Sequence, residues 1–182
     1  MSQKLTIEEM KRLTVEQFRE SEKLPLTVVL DNVRSQNNIG SVFRTADAFR
    51  VEHIALCGIC STPPHREIHK TALGAEESVA WSYHEDTSEC VRALKSRGFR
   101  VYAVEIAHNS IKLGETAIAA DKPLAIVLGN EIEGVQEEVM ALCDGAIEIP
   151  QRGTKHSLNV SCAAAIVMWE MSKLNLGGIS DQ

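Results

Sequence analysis

The sequence lacks a basic balance: 19 Lys and Arg stand against 25 Asp and Glu, a formal net charge of −6. A chain that binds nucleic acid over a broad surface is usually basic. Any polyphosphate contact here must therefore come from local clusters or from a second subunit. Long hydrophobic runs are missing too. The stretch from Ala163 to Trp169 is apolar, yet it falls well below the ~20 residues that span a bilayer. The opening residues, MSQKLTIEEMKRL, are charged and lack the apolar core of a signal peptide, so a cytoplasmic protein without a membrane segment is expected. The cysteines, at 57, 60, 90, 143 and 162, are odd in number and scattered, which argues against a secreted disulfide framework. There is no internal repeat and no low-complexity segment.

What is present is an ordinary globular composition, 44% hydrophobic and 24% charged over 182 residues. That length supports one domain with a full core. Thr6-x-x-Glu9 and Thr14-x-x-Gln17 read as successive capping boxes, predicting short helices over 6–22. LTVVL (26–30) reads as a strand, and NNIGSVFRTADAF as a loop entering a helix capped by Asn37 or Asn38. HIALCGI is a second strand, followed by a polar loop, TPPHREIHKTALGAEES, holding one short helix. A helix over Thr87–Arg97 ends at Gly98. RVYAVEI is a strand, and HNSIKLGETAIAADKP a linker to the strand LAIVLG (124–129). VQEEVMALC is a helix, AIEIP a strand, and Ser157–Leu174 the last helix, stopped by Gly177-Gly178. The alternation implies an α/β domain with a mainly parallel sheet. Apolar continuity in strands such as LAIVL suits burial on both faces. The last helix is apolar almost all round, which suits an internal helix or a dimer interface.

Three stretches carry chemistry. In Asn38-Ile39-Gly40-Ser41-Val42-Phe43-Arg44, Gly40 permits a tight turn or a close ligand, and Arg44 could grip a phosphate bidentately. Leu128-Gly129-Asn130-Glu131-Ile132-Glu133-Gly134 follows a buried strand, where α/β sheets present ligands. It has neither dinucleotide nor P-loop spacing. In KHSLNVSCAAAIVMWE (155–170), Ser157 reads as a helix cap, while Asn159, placed at a buried helix end, needs a partner for its amide. Two further patterns are weaker. Cys57-x-x-Cys60 ends a strand, whereas redox CxxC pairs open a helix. His65 and His69, at i,i+4 beside Arg66 and Lys70, suit a solvated face or a phosphate patch better than a metal.

Taken together, N-x-G-x-x-x-R, LGNE-x-x-G and IP-x-x-G-x-x-x-SLNVS resemble, in order and context, the three signature motifs of the SpoU/TrmH family of RNA ribose 2′-O-methyltransferases in the SPOUT superfamily. The likeness runs from about Leu26 to Leu174. It implies a C-terminal trefoil knot, a homodimer, and S-adenosyl-L-methionine held bent in the knot loops. The implied domain layout is a helical extension at 1–23, the SPOUT domain at 24–176 and a tail at 177–182. Carried over by motif, the catalytic positions are Asn38, Arg44, Glu131, Ser157 and Asn159. The loops around Glu105, Gly129, Ile149 and Leu158 would hold the cofactor, largely through backbone groups. No metal is implied, because the donor is already activated. Arg44 would orient and neutralise phosphate rather than act as a base, since a guanidinium holds its proton too firmly to serve as one. Glu131 would fix either Arg44 or its own loop. The implied substrate is RNA, tRNA first and rRNA second. Arg34, Arg44, Arg50, Arg66, Lys70, Arg152 and Lys155 are the candidates for phosphate contact.

Overall fold

The computed structural model describes residues 3–6, 9–115, 118–119 and 121–174. In chain order the elements are α1 (Val15–Glu20), β1 (Leu24–Asp31), α2 (Gln36–Ala48), β2 (Val51–Cys57), α3 (Arg66–Ala72), α4 (Ala75–Ser78) and β3 (Ala80–His84). They continue as α5 (Thr87–Ser96), β4 (Arg100–Val104), β5 (Ile111–Lys112), β6 (Leu124–Leu128), α6 (Glu137–Leu142), β7 (Gly145–Glu148) and α7 (Val160–Ser172). Among the described residues seven strands form one sheet in the order β3-β2-β1-β6-β4-β7-β5, and every neighbouring pair is parallel. The expected parallel α/β architecture is therefore what the chain adopts. The chain fills the sheet out of order: β6 enters between β1 and β4, and β7 between β4 and β5.

Parallel strands buried on both faces read as near-continuous apolar runs, and β1 shows how. Val28 and Leu30 pack with Ile39, Phe43 and Met168 on the α2/α7 side, while Val29 packs with Val91, Leu94 and Val139 on the α5/α6 side. LAIVL of β6 is buried at every residue. Both layers meet over β1 and β6, the centre of the sheet.

Several expectations change at the level of single elements. The Thr14/Gln17 capping box forms with both of its bonds. The polar loop after β2 contains two helices, because Leu73 and Gly74 take left-handed φ values of 53° and 93° and end α3 before α4 begins. AWSYH, not expected as a strand, is β3 at the sheet edge. The linker after β4 contains β5. Neither Asn37 nor Asn38 caps α2: Ser35 does, accepting from the Asn38 N–H at 3.3 Å. Gly40 lies inside α2 and serves neither a turn nor a ligand. A Cβ there would meet Thr71 Oγ1 at 2.1 Å and the Ile68 carbonyl at 2.3 Å, so the glycine lets α2 and α3 touch.

The last helix also starts later than expected. Asn159, not Ser157, caps α7, accepting from the amides of Ser161 and Cys162. Nor is α7 buried all round in this chain. Val160, Ala164, Val167, Met168 and Met171 are buried, but Ile166 and Trp169 are 39% and 54% exposed. Gly177 and Gly178 lie outside the described residues.

Candidate active site

In a parallel sheet all strands end at one edge, and ligands of α/β proteins sit outside the carboxyl ends of the strands. A cleft of about 500 Å³ opens there, beyond β4, β6 and β7. Val104, Leu128, Ile147 and Ile149 give it apolar walls, and Glu105, Gly129, Asn130, Glu131 and the 156–160 segment supply polar groups. A cleft of about 750 Å³ lies at the opposite strand ends, beside α1 and α4. It contains none of the three motifs.

Two of the motifs meet the cleft directly. Gly129, Glu131, Ser157 and Asn159 line it, as do Glu105, Ile149 and Leu158. Asn38 is absent from the lining but is joined to it by hydrogen bonds. Its Nδ2 donates to Glu131 Oε1 at 2.9 Å, and its Oδ1 accepts from Asn159 Nδ2 at 3.1 Å. Glu131 further accepts from the backbone N–H of Ser35 at Oε1 and of Arg34 at Oε2, both at 3.2 Å. One chain of bonds therefore ties the start of α2, the loop after β6 and the cap of α7. Glu131 fixes its loop against the start of α2. Arg44 is exposed and, among the described residues, makes no side-chain hydrogen bond or ion pair and does not line the cleft. Asn159 is exposed rather than buried, yet its amide bonds at both ends: the oxygen caps α7 and the nitrogen donates to Asn38.

Two carboxylates of the cleft, Glu131 and Glu105, are already committed. Burial pushes the Glu131 carboxyl up, but the Asn38 amide and the N–H groups of Glu131, Arg34 and Ser35 outweigh it and hold the group below its ordinary range. Donors that prefer the charged form lower a carboxyl pKa, so Glu131 is anionic at neutral pH. Glu105 accepts from the N–H of Ile106 at 3.0 Å and of Val135 at 3.4 Å, so it shapes the loop as well as lining the cleft. Gly134, with φ of 72°, passes so near that a Cβ would meet Glu105 Oε2 at 2.4 Å. At Gly129 a Cβ would meet the Gly134 carbonyl carbon at 2.0 Å, because the loop folds back on itself.

Asn130 is a further residue of this loop, not among the candidates singled out from sequence. It is buried, and its Oδ1 accepts from the N–H of Ile132 at 2.8 Å and of Glu133 at 3.1 Å. An Asn followed by such a turn is the signal that could have found it. The two weaker patterns resolve structurally. Cys57 and Cys60 are buried, and burial raises the Cys60 thiol to about 11, opposite to a reactive thiol. His65 caps α3 and His69 pairs with Glu76. Of the expected phosphate contacts, Arg50 precedes β2 at the far end of the strands, and Lys70 is paired with Glu67.

A family model described as the SpoU rRNA Methylase family matches residues 25–169. The chain belongs to this family. It is 37% identical over 176 residues to a tRNA (guanosine(18)-2'-O)-methyltransferase of Thermus thermophilus, covering 96% of this chain and 88% of that protein. Among solved structures, a TrmH/SpoU tRNA modifying enzyme of A. aeolicus superposes with a TM-score of 0.77 at 27% identity, covering 88% of this chain and 82% of its own. An AdoMet-bound rRNA methyltransferase of Sinorhizobium meliloti superposes with a TM-score of 0.76 at 27% identity, covering 85% of this chain but only 61% of its own. The SpoU motifs of this chain thus converge on one edge of the sheet, with Arg44 as the exception.

Proposed function

We propose that this SpoU-family chain transfers a methyl group from S-adenosyl-L-methionine to a ribose 2′-hydroxyl of RNA, with tRNA as substrate. The supporting observation is the hydrogen-bonded chain Asn159–Asn38–Glu131 at the rim of the cleft. When bound, the cofactor supplies an activated methyl on a sulfonium centre. What the protein must add is alignment and help with proton loss. The apolar walls and the folded-back 129–135 loop suit the cofactor, with Glu105, Gly129, Ile149 and Leu158 around it. Asn38, Ser157 and Asn159 position ribose and phosphate at the rim, and Glu131 holds the loop in place. Among the described residues the Arg44 guanidinium has no partner and is available to an RNA phosphate, as are those of Arg34, Arg66 and Arg152, all exposed. Such local cations reconcile an acidic chain with a polyanionic partner.

The working unit is a homodimer, supported by the exposed apolar face of α7 around Ile166 and Trp169. The insertion of β6 and β7 inside the sheet supports a trefoil knot in the domain spanning 24–176. Among the described residues no helix is long and apolar enough to cross a membrane, and the protein works in the cytoplasm on RNA. The test is methyl transfer from labelled S-adenosyl-L-methionine to tRNA and rRNA lacking native modifications, with mass mapping of the product. A single 2′-O-methyl nucleotide in tRNA is expected. Transfer to rRNA alone would move the substrate, and transfer to neither would sink the assignment.

A further inference from the structure

Asp31, the last residue of β1, is fully buried. A carboxylate leaves water at a cost unless donors meet its oxygens, and here every donor is neutral. Oδ1 accepts from the Thr87 hydroxyl at 2.6 Å and from Asn32 Nδ2 at 2.9 Å, and Oδ2 accepts from the backbone N–H of Gln136 at 3.0 Å. Among the described residues no Lys, Arg or His pairs with it. Asn32 takes a left-handed φ of 54° that aims its amide at the same place. Its Nδ2 donates to Gln136 Oε1 at 2.9 Å, and its Oδ1 accepts from the Ile59 N–H at 3.1 Å. Gln136 is therefore gripped at both main chain and side chain.

Gln136 is where the chain leaves the 129–135 loop for α6. Within that loop Glu131 is held by Arg34, Ser35 and Asn38. The stretches 31–38 and 130–136 are thus fastened to each other at two separate points. The inner shape of the loop is local, set by Asn130 and by paired bonds between the backbones of Asn130 and Gly134. A loop with local shape and one fastening can pivot about it; a second fastening removes that freedom. Neither Asp31 nor Asn32 lines the cleft.

We infer that Asp31 and Asn32 are positioning residues that, from outside the cleft, fix the base of the loop presenting Glu131 to it. The clamp bears on turnover only if the cleft is the methyl-transfer site proposed above. Asn32→Gly is the cleanest variant, because glycine accepts the left-handed φ while all of the side-chain bonds are lost. Asp31→Asn is its companion, turning one acceptor into a donor that faces Thr87 or Gln136. In the full-length protein both variants should melt cooperatively. Amides of residues 130–136 should exchange roughly tenfold faster than wild type, with those of β1 and β6 unchanged. The dissociation constant for S-adenosyl-L-methionine should rise about tenfold, and turnover of the Asn32→Gly/Glu131→Gln pair should fall no further than that of Glu131→Gln alone. Unchanged loop exchange, or losses that add in full, would overturn the clamp. If the wild type transfers no methyl group, the functional proposal fails, and the exchange measurement still decides the clamp.

Discussion

At the scale of single residues the site is a set of commitments made before any ligand arrives. Glu131 accepts from two backbone amides and one side-chain amide, and these donors favour its charged form. Its folded pKa lies below the ordinary value, so its bonding is complete at neutral pH. It is lost only as pH falls below about 4.3 and on through the depressed value. Glu131→Gln removes the charge and turns one acceptor toward the Arg34 or Ser35 N–H as a donor. Bonds to a charged acceptor are stronger than neutral ones, and turnover at pH 7 should fall by about tenfold or more. A Glu131→Gln enzyme with unaltered turnover would show that the loop needs no anion there.

At the scale of elements, most of the fold could be read from local pattern. The strands of β1 and β6 are apolar at nearly every position, and α5 has its Asp86 cap and a glycine with φ of 88° at position 98. What escaped was either weakly patterned or not local. β3 mixes exposed Ala80 and Tyr83 with half-buried neighbours at an edge, and β5 has two residues. The cap of α7 was misplaced because Ser157 and Asn159 have equal capping propensity, and only the contact from Asn159 to Asn38 across the fold breaks the tie. The three motifs revealed which residues gather, but not that Arg44 stays outside. The role of Gly40 is hidden for a similar reason, since the residues it touches, Ile68 and Thr71, belong to a different element, α3. Alanine in a helix normally gains up to about 1 kcal/mol over glycine. Here a Cβ meets the Ile68 backbone oxygen at 2.3 Å, and overpacking of this kind costs about 1–3 kcal/mol. Gly40→Ala should therefore destabilise the protein, seen as a lower Tm and a lower denaturant midpoint, against the helix-propensity trend.

At the scale of the whole molecule, α7 has two apolar faces and the chain covers one of them. The Trp169 ring lies 5.7 Å from that of Phe49 at a 50° tilt, with Lys173 Nζ 5.1 Å above it, and is still half exposed. With Ile166 it forms a surface of the kind that subunits share. Sedimentation should give a dimer for the wild type, and a charge at the centre of the patch, Trp169→Glu, should shift the mass toward the monomer. A wild type that sediments as a monomer at micromolar concentration would refute the proposed assembly.

The late insertion of β6 matters most while the protein is being made. Leu26 pairs with Leu124, and Leu30 with Leu128, so one flank of β1 cannot be covered until the chain beyond Leu124 has left the ribosome. Until then β3, β2 and β1 can pair with one another, but β1 ends the ribbon as a bare apolar strand, open to any other chain that offers an edge. The nascent protein therefore passes through a stage in which its future centre is its stickiest border. Strand β6 ends this exposure, and the loop that carries Glu131 follows directly on it.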